Sequence, residues 1–390
     1  LPSNNRELPP VSARLPHFVS ERAFSRLYPY CDTIPPIELD VVAVDLLVGS
    51  VDGIDDFRRM LMETGTPSSA DATSEETQVL DTLRVMHRAV SDAGLESGSN
   101  VGVIVASEAH TDRGDVPWCT TALPARLASS WNFTGPVHTI SESTRSVTHA
   151  IDHARVMLAS LTVDAVVIGA VDGGACREQV GGSETRQRCP FEAAYAGKFL
   201  SSGSGAIVLT RHADSVGTAA PLAVIEASCT DHYPVGMVQF VGTDPHVELE
   251  RAAEVREKDP GTTRIFGCVG ANLGQFVYAS GIADIMAAVV CMHERFIPPI
   301  PRWSAPHRTL GGFYVPRVLK SWPTLHRTPR RVLILNGSDT LVVTDRGTRH
   351  ALHNMRTVQD NTPVLLVVEA VSVELLVGEV EQLEWHTYRP

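Results

Sequence analysis

The chain has 390 residues, of which 43% are hydrophobic and 20% are charged, and its formal net charge is -12. This length suits two domains or one large duplicated fold, and the composition is that of a globular protein. The acidic charge argues against nucleic acid as a partner, because contacts to phosphates need clustered Lys and Arg. The short basic run at residues 327–331 is interpreted as a solvated turn.

The apolar runs are too short to cross a membrane. The longest, Ile285–Met292, falls far below the roughly 18 apolar residues that a spanning helix needs. Seven widely spaced cysteines without a CxxC pair favour a reducing cytoplasm, and neither they nor the fifteen histidines show metal-binding spacing. We therefore expect no metal and no other cofactor. Residues 1–37 are Pro-rich and begin without Met, so we interpret them as an N-terminal linker of a longer polypeptide.

From Leu39 onward, apolar runs of strand length alternate with segments of helical period, which is typical of an α/β protein with buried sheets. In the first half the predicted elements are strand Val41–Val48, helix Asp55–Glu63, helix Val79–Ala93, strand Val101–Ala106, strand Gly135–Ile140, helix Val147–Leu161 and strand Asp164–Ala170. The residues Ser141–Ser143 and Thr144 are expected to cap the helix that follows them.

The second half repeats this alternation. Strand Gly205–Thr210 is predicted to end the first half, and the predicted elements of the second are strands Ala223–Ala227, Thr263–Cys268 and Arg331–Leu335, with a long helix over Ile282–Arg295. Two strand-rich halves, each with one long apolar helix, suggest an internal duplication with halves at about 38–212 and 213–345. Residues 346–390 are interpreted as a C-terminal extension or linker.

Several ordered segments resemble motifs of the β-ketoacyl synthases. They are Ser91–Leu95 (family motif EDAGL), Gly135–Ser146 (GPSLTVDTACSS), Cys189–Gly197 with Ser202–Ala206 (RPFDAARDGFVPGEGAG), Gly267–Gln275 (GSVKSNIGH), Ala279–Ala283 (AAGIAG) and Ile297–Pro299 (IPPT). Each motif alone is weak, but their order and spacing make the set specific over residues 40–345. The resemblance implies an α/β, thiolase-like fold with duplicated αβαβα layers.

The resemblance also implies a degenerate active site. In this family a cysteine at a helix N-terminus takes the acyl chain as a thioester, and two histidines then promote decarboxylation of the malonyl unit. Here Thr144 stands at the cysteine position, Gln239 and Gln275 at the histidine positions, and Gly270 replaces a lysine. A threonine hydroxyl is a poor nucleophile without a base, and glutamine cannot exchange protons near neutral pH. The condensing reaction is therefore expected to be absent.

Two alternatives stay open at this point. Gln239 follows from matching Gly242-Thr243 to the family motif EAHGTGTPLGDPIEAA, and under another match His232 or His246 takes the first histidine position. Thr144 can also be interpreted as an acyl acceptor with His138 or His149 as its base, which would make the chain an acyltransferase or decarboxylase.

Non-catalytic relatives of this kind, called chain-length factors, occur in polyketide and polyunsaturated fatty acid systems. The resemblance implies a heterodimer with an active ketosynthase, or a homodimer, in which this chain shapes the acyl tunnel. Candidate tunnel or interface residues are Trp118, Cys119, Ser143 and Leu335. The acidic charge is expected to leave docking of an acyl carrier protein to the active partner. A purely structural scaffold with a solid pseudo-active site is the third hypothesis.

Overall fold

The computed structural model of the chain describes residues 17–18, 37–63, 75–108, 122–172, 189–193, 201–212, 221–227, 235–242, 244–258, 262–306, 310, 312–322 and 328–346. The helices in these ranges are α1 (Ile54–Glu63), α2 (Glu75–Asp92), α3 (Leu123–Ser130), α4 (Ser146–Ala159), α5 (Pro245–Lys258), α6 (Gly270–Leu273) and α7 (Ile282–His293). The strands are β1 (His17–Phe18), β2 (Leu39–Val48), β3 (Val51–Asp52), β4 (Val101–Ala106), β5 (Val137–Ile140), β6 (Ala165–Asp172), β7 (Gly203–Arg211), β8 (Ala223–Ile225), β9 (Met237–Phe240), β10 (Arg264–Gly267), β11 (Phe296–Ile297), β12 (Phe313–Tyr314), β13 (Lys320–Ser321), β14 (Arg331–Asn336) and β15 (Asp339–Thr344).

The strand order shows the internal duplication. One 13-stranded sheet has the order β1-β5-β4-β6-β7-β2-β8-β15-β14-β9-β10-β12, with β3 paired to β2 beside it. The first half, β5-β4-β6-β7-β2, and the second half, β10-β9-β14-β15-β8, follow the same pattern. In each half the first three strands are mutually parallel and the next two pairings are antiparallel. Pairing of β2 with β8 joins the halves. The predicted duplicated α/β fold is confirmed.

The helices α4 and α7 lie between the two halves of the sheet. Their side chains share one core cluster with strand residues of both halves, and α7 is buried along its whole length from Ile282 to Met292. The helices α2 and α3 pack on the outer face of the first half, whereas α5 packs on the outer face of the second. Helix and sheet layers therefore alternate, and the turn that precedes α4 reaches the surface at Ser143 and Arg145.

The prediction of a solvated basic turn at residues 327–331 is wrong for its last two residues. Arg330 and Arg331 have side chains that are only 4% exposed. Arg330 pairs with Asp345 at 2.8 Å, and Arg331 binds both carboxylate oxygens of Glu226 at 2.8 and 2.5 Å. A bidentate arginine with a matched carboxylate is a stable buried arrangement, and these partners are distant in sequence.

Within the described residues, no helix is both long enough and apolar enough to cross a membrane.

Candidate functional site

The elbow between β5 and α4 carries Thr144. Ser143 has a φ of 54°, a left-handed conformation that is uncommon for residues other than glycine, and it starts one turn of 3-10 helix. The Ser146 hydroxyl accepts a hydrogen bond from the N–H of Glu142 and donates one to the carbonyl of Ser143, both at 2.8 Å. The predicted capping by Ser141–Ser143 or Thr144 is wrong, because no side chain caps the N-terminus of α4 and the Ser146 hydroxyl holds the turn instead.

Two contacts tie this elbow to the hairpin of β14 and β15, and we call them the hairpin clamp. The Nδ2 of Asn336 donates to the carbonyl oxygen of Thr144 at 2.6 Å, and the Nε of Arg145 donates to the Oδ2 of Asp339 at 2.8 Å. Thr144 itself is half-buried. The clamp fastens Thr144 and Arg145 to the second half of the molecule.

Gln275 lies directly beside the loop that contains Gly242. Its Nε2 donates to the Gly242 carbonyl, and its own carbonyl accepts from the N–H of Ser201 at 2.8 Å. Gly242 has a φ of 81°, and a Cβ there would lie 2.8 Å from Pro190 Cγ and 3.1 Å from Gln275 Nε2. Only glycine fits this loop without displacement. Gly270 opens α6 in the turn that leads to Gln275 and brings no charge to the site.

A fully buried carboxylate, Glu248 of α5, holds two loops together. It accepts hydrogen bonds from the N–H groups of Gly242 at 2.9 Å, Asp244 at 3.3 Å and Gly337 at 3.2 Å. Backbone donors of this kind offset the cost of removing a carboxylate from water. Glu248 therefore links the loop beside Gln275 to the turn of the hairpin.

Gln239 lies in β9 and its side chain reaches α7. Its Nε2 donates to Oδ1 of Asp284 at 2.8 Å, and both residues are buried. Burial raises the pKa of Asp284 to about 7, and the hydrogen bond from Gln239 opposes that rise. The residue directly before Gly242 is Val241, which packs in the central core. The structure thus brings Gln239 to Asp284, whereas Gln275 lies at Gly242.

Asp172 positions the segment that follows Gln275. Its carboxylate accepts hydrogen bonds from the N–H groups of Val277, Tyr278 and Ala279, at distances between 2.7 and 3.2 Å. Burial raises the pKa of Asp172 to about 6 despite these donors. Glu248 and Asp284 were not singled out from the sequence as part of the site.

The other sequence candidates are dispersed. Ser143 is exposed on the elbow, and Leu335 is buried in the outer core beside α5. Trp118 and Cys119 lie outside the described residues, so their predicted tunnel or interface role stays a prediction.

The histidines proposed as bases have other neighbours. Burial lowers the pKa of His153 on α4 to about 4, and the neighbouring His138 and His149 add to this effect. His246 is exposed, with its Nδ1 3.2 Å from Oε1 of Glu250 one turn further along α5, and His232 lies outside the described residues. Among the described residues, no group of His, Cys, Asp and Glu is arranged to hold a metal ion.

A polar cleft of about 340 Å³ runs along α4 beside the hairpin clamp. It is lined by Arg145, Thr148, His149, Asp152, Arg155, Glu226, Ala227 and residues 338–342. Its charges are largely paired within the chain: Arg145 binds Asp339, and Arg155 lies 3.4 Å from Asp152. The cleft therefore presents no concentrated charge to a ligand.

Comparison with known proteins agrees with this architecture. Residues 44–215 match the family model of the beta-ketoacyl synthase N-terminal domain. One of the subunits of the polyunsaturated fatty acid synthase of Thraustochytrium sp. is 22% identical over 422 aligned positions, which cover 86% of this chain and 20% of that protein. The chain thus spans about a fifth of the length of this curated relative.

Solved ketosynthase structures share the fold. The ketosynthase from module 6 of the bacillaene synthase of Bacillus subtilis 168 superposes with a TM-score of 0.67 at 16% identity, covering 79% of this chain and 71% of that one. A protein described as a PfaC keto synthase-chain length factor gives a TM-score of 0.65 at 17% identity, covering 79% and 48%. The chain therefore has the fold of these ketosynthase structures, and its residues 44–215 resemble the N-terminal domain of the beta-ketoacyl synthases.

Proposed function

We propose that the chain is a non-catalytic, chain-length-factor-like subunit or domain of a polyketide or fatty acid synthase. It pairs with an active ketosynthase and shapes the acyl tunnel of that partner. The proposal is based on the observation that polar groups at the positions predicted to be degenerate already form hydrogen bonds with other residues of the chain. The amide of Gln275 binds the Gly242 carbonyl, and the carbonyl of Thr144 binds Asn336.

The chemistry of these positions supports the absence of condensation. In the family motif the histidine precedes two successive Gly-Thr pairs, so matching Gly242-Thr243 to the second pair places Gln239 at the first histidine position, and matching it to the first pair places Val241 there. A valine has no proton to exchange, and a glutamine exchanges none near neutral pH. The hydroxyl of Thr144 then has no base provided by either position, and a neutral hydroxyl is a far weaker nucleophile than a thiolate.

The pairing rests on the relatives rather than on a surface of this chain. One relative is a subunit of a polyunsaturated fatty acid synthase, and one structural neighbour is described as a keto synthase-chain length factor. A partner that only walls a tunnel needs a stable fold and no nucleophile. The hairpin clamp and the buried Glu248 supply rigidity of that kind around the degenerate site.

The test is intact-mass measurement of the isolated chain after incubation with malonyl- and acyl-loaded carrier protein, beside an active ketosynthase as positive control. We expect no acyl adduct on this chain. Thr148→Ala is the matched control for Thr144→Ala, because both threonines are half-buried at the start of α4. An adduct that Thr144→Ala removes and Thr148→Ala keeps would overturn the non-catalytic proposal in favour of an acyltransferase.

Co-expression with the active ketosynthase tests the pairing. We expect the two chains to co-purify and the product length to change when this chain is present. Co-purification without any change in product length would instead indicate a structural scaffold. Failure to co-purify would contradict the heterodimer.

A further inference from the structure

An exposed surface of apolar and basic side chains lies next to β12, the last strand in the order of the large sheet. We call it the 314–320 patch, and it consists of Tyr314, Arg317, Val318, Leu319 and Lys320. Val318 is 61% exposed, Leu319 44% and Tyr314 36%. The ammonium of Lys320 lies 4.8 Å from the centre of the Tyr314 ring, so the two ends of the patch are in contact.

Exposed apolar side chains are otherwise scattered over the described part of the chain. The other large ones, Ile54, Leu80 and Leu161, lie far from one another in sequence. Three such side chains within the six positions from Tyr314 to Leu319 are therefore a local feature of this surface. Single exposed apolar residues are ordinary, whereas a cluster of them is typical of a docking site.

The stretch that contains the patch is basic, although the chain as a whole is acidic. Residues 295–338 contain eight Lys and Arg residues and no Asp or Glu, whereas the whole chain has 33 basic and 45 acidic residues. Two of the eight are the buried, ion-paired arginines at positions 330 and 331. Four others are exposed, namely Arg295, Arg302, Arg317 and Lys320.

The two cations of the patch have no carboxylate partner among the described residues. The Nη2 of Arg317 donates to the carbonyl of Ser304 at 3.4 Å, and Lys320 contacts the Tyr314 ring. The exposed arginines Arg58 and Arg59 on α1, in contrast, each pair with a carboxylate of the same helix. The charges of the patch are therefore not neutralised by its own surroundings, and they can pair with a partner.

The patch is also held in place at both ends. On one side the N–H of Ile300 donates to the carbonyl of the buried Pro316 at 2.9 Å. On the other side the N–H of the buried Trp322 donates to the carbonyl of Arg295 at 2.7 Å, and β13 pairs with β11. A surface that is already ordered loses little conformational entropy when it binds.

We propose that the 314–320 patch is a docking surface for an acidic, amphipathic segment of another protein. Carboxylates of that segment pair with Arg317 and Lys320, and its apolar side chains cover Val318 and Leu319. The net charge of -12 repels acidic proteins from the rest of the chain, so charge complementarity confines the contact to this basic surface. Valine and leucine offer no ring on which bases stack, which favours a protein over a single-stranded nucleic acid.

The test measures fluorescence anisotropy of labelled peptides titrated with the full chain. The first peptide is amphipathic and composed of glutamate and leucine, the second replaces glutamate by lysine, and the third replaces leucine by serine. We expect the glutamate and leucine peptide to bind, with an affinity that falls as salt is added, and the other two to bind at least about tenfold more weakly.

Charge reversal tests the basic part of the patch. Arg317→Glu and Lys320→Glu should each weaken binding of the glutamate and leucine peptide about three- to tenfold. Arg59→Glu is the matched control, because its side chain is 63% exposed on α1 and the substitution changes the net charge equally. This control should bind the peptide as the wild type does.

Removal of the apolar side chains tests the other part. The double substitution Val318→Ser and Leu319→Ser should weaken binding of the same peptide by more than about tenfold. Leu161→Ser, at a position that is 72% exposed elsewhere in the chain, should leave binding unchanged. All of these variants change exposed residues, so their midpoints of urea unfolding should match that of the wild type.

Three results would overturn the proposal. They are equal binding of the lysine and leucine peptide, patch variants that bind as tightly as their controls, and no binding of the glutamate and leucine peptide at all. Vesicles of phosphatidylcholine and phosphatidylserine serve as a competing probe, and vesicle binding that the patch variants lose, without peptide binding, would assign the patch to a lipid surface instead. None of these readouts involves a ketosynthase or an acyl group, so a failure here is distinguishable from a failure of the proposed function.

Discussion

Substitution of the buried carboxylate on α7, Asp284→Asn, is expected to change how the stability of the chain depends on pH. Asp284 is 4% exposed, its pKa is raised from 3.8 to about 7, and Gln239 is its hydrogen-bond donor at 2.8 Å. The folded chain therefore holds this proton more tightly than the unfolded chain does. Stability that is fully present below about pH 4 is lost as pH rises toward 7, by roughly 1.4 kcal/mol for each pH unit between the two pKa values.

The two pKa values of Asp284 set the expected difference in unfolding free energy between wild type and variant. From pH 5 to pH 8 the unfolded Asp284 stays ionised while the folded one loses its proton, so the wild type should lose about 2 to 3 kcal/mol relative to Asp284→Asn. Urea unfolding followed by tryptophan fluorescence at several pH values measures the difference directly. The contribution of Asp172, with its pKa of about 6, is common to both proteins and cancels.

The control for this experiment is Asp55→Asn on α1, whose carboxylate is 75% exposed. The difference in unfolding free energy between Asp55→Asn and wild type should be nearly independent of pH over the same range. A difference in unfolding free energy between wild type and Asp284→Asn that stays constant from pH 5 to pH 8 would show that the folded chain does not hold Asp284 in its protonated form.

Three further substitutions probe the loops around the degenerate site. Glu248→Ala leaves three backbone donors without their acceptor and should cost about 3 kcal/mol or more in urea unfolding. Gly242→Ala forces a methyl group to 2.8 Å from its neighbour at a φ of 81°, so a loss of about 2 kcal/mol is expected. Arg145→Ala breaks a pair whose arginine is 49% exposed and should cost less than about 1 kcal/mol by the same measurement. Equal losses for Glu248→Ala and Arg145→Ala would contradict the ranking by burial.

The long regular elements were predictable from the sequence, whereas the short and locally ambiguous ones were not. The strand β2 is apolar apart from two aspartates, β6 is apolar up to its last residue, and α7 is apolar apart from Asp284 and His293, so their patterns are clear. The strand β9 has four residues, all buried, and shows no alternation. The helix α3 has eight residues, which are too few for a helical period to be distinguished with certainty from other patterns. The sequence suggested the duplication, and the strand order shows which strands of the two halves correspond.

The contacts that define the site could not be predicted, because they join residues far apart in the chain. Asn336 and Thr144 are separated by 192 positions, and Gly337 and Glu248 by 89. The resemblance to a family predicts that Thr144 and Gln275 are degenerate positions. It gave no indication that a buried glutamate would join the surrounding loops.

The hydrogen bonds formed by the side chains of Gln275 and Glu248 bear on the proposed function. An active site keeps donors and acceptors available for substrate, and it often holds them in strained or unpaired arrangements. Here the amide of Gln275 is engaged by a backbone carbonyl, and Glu248 binds three backbone donors. Admitting an acyl chain at this point would break buried hydrogen bonds before any new contact formed, which is costly. A role in pairing and in shaping a partner's tunnel requires no such opening, because it uses the rigidity that these hydrogen bonds provide.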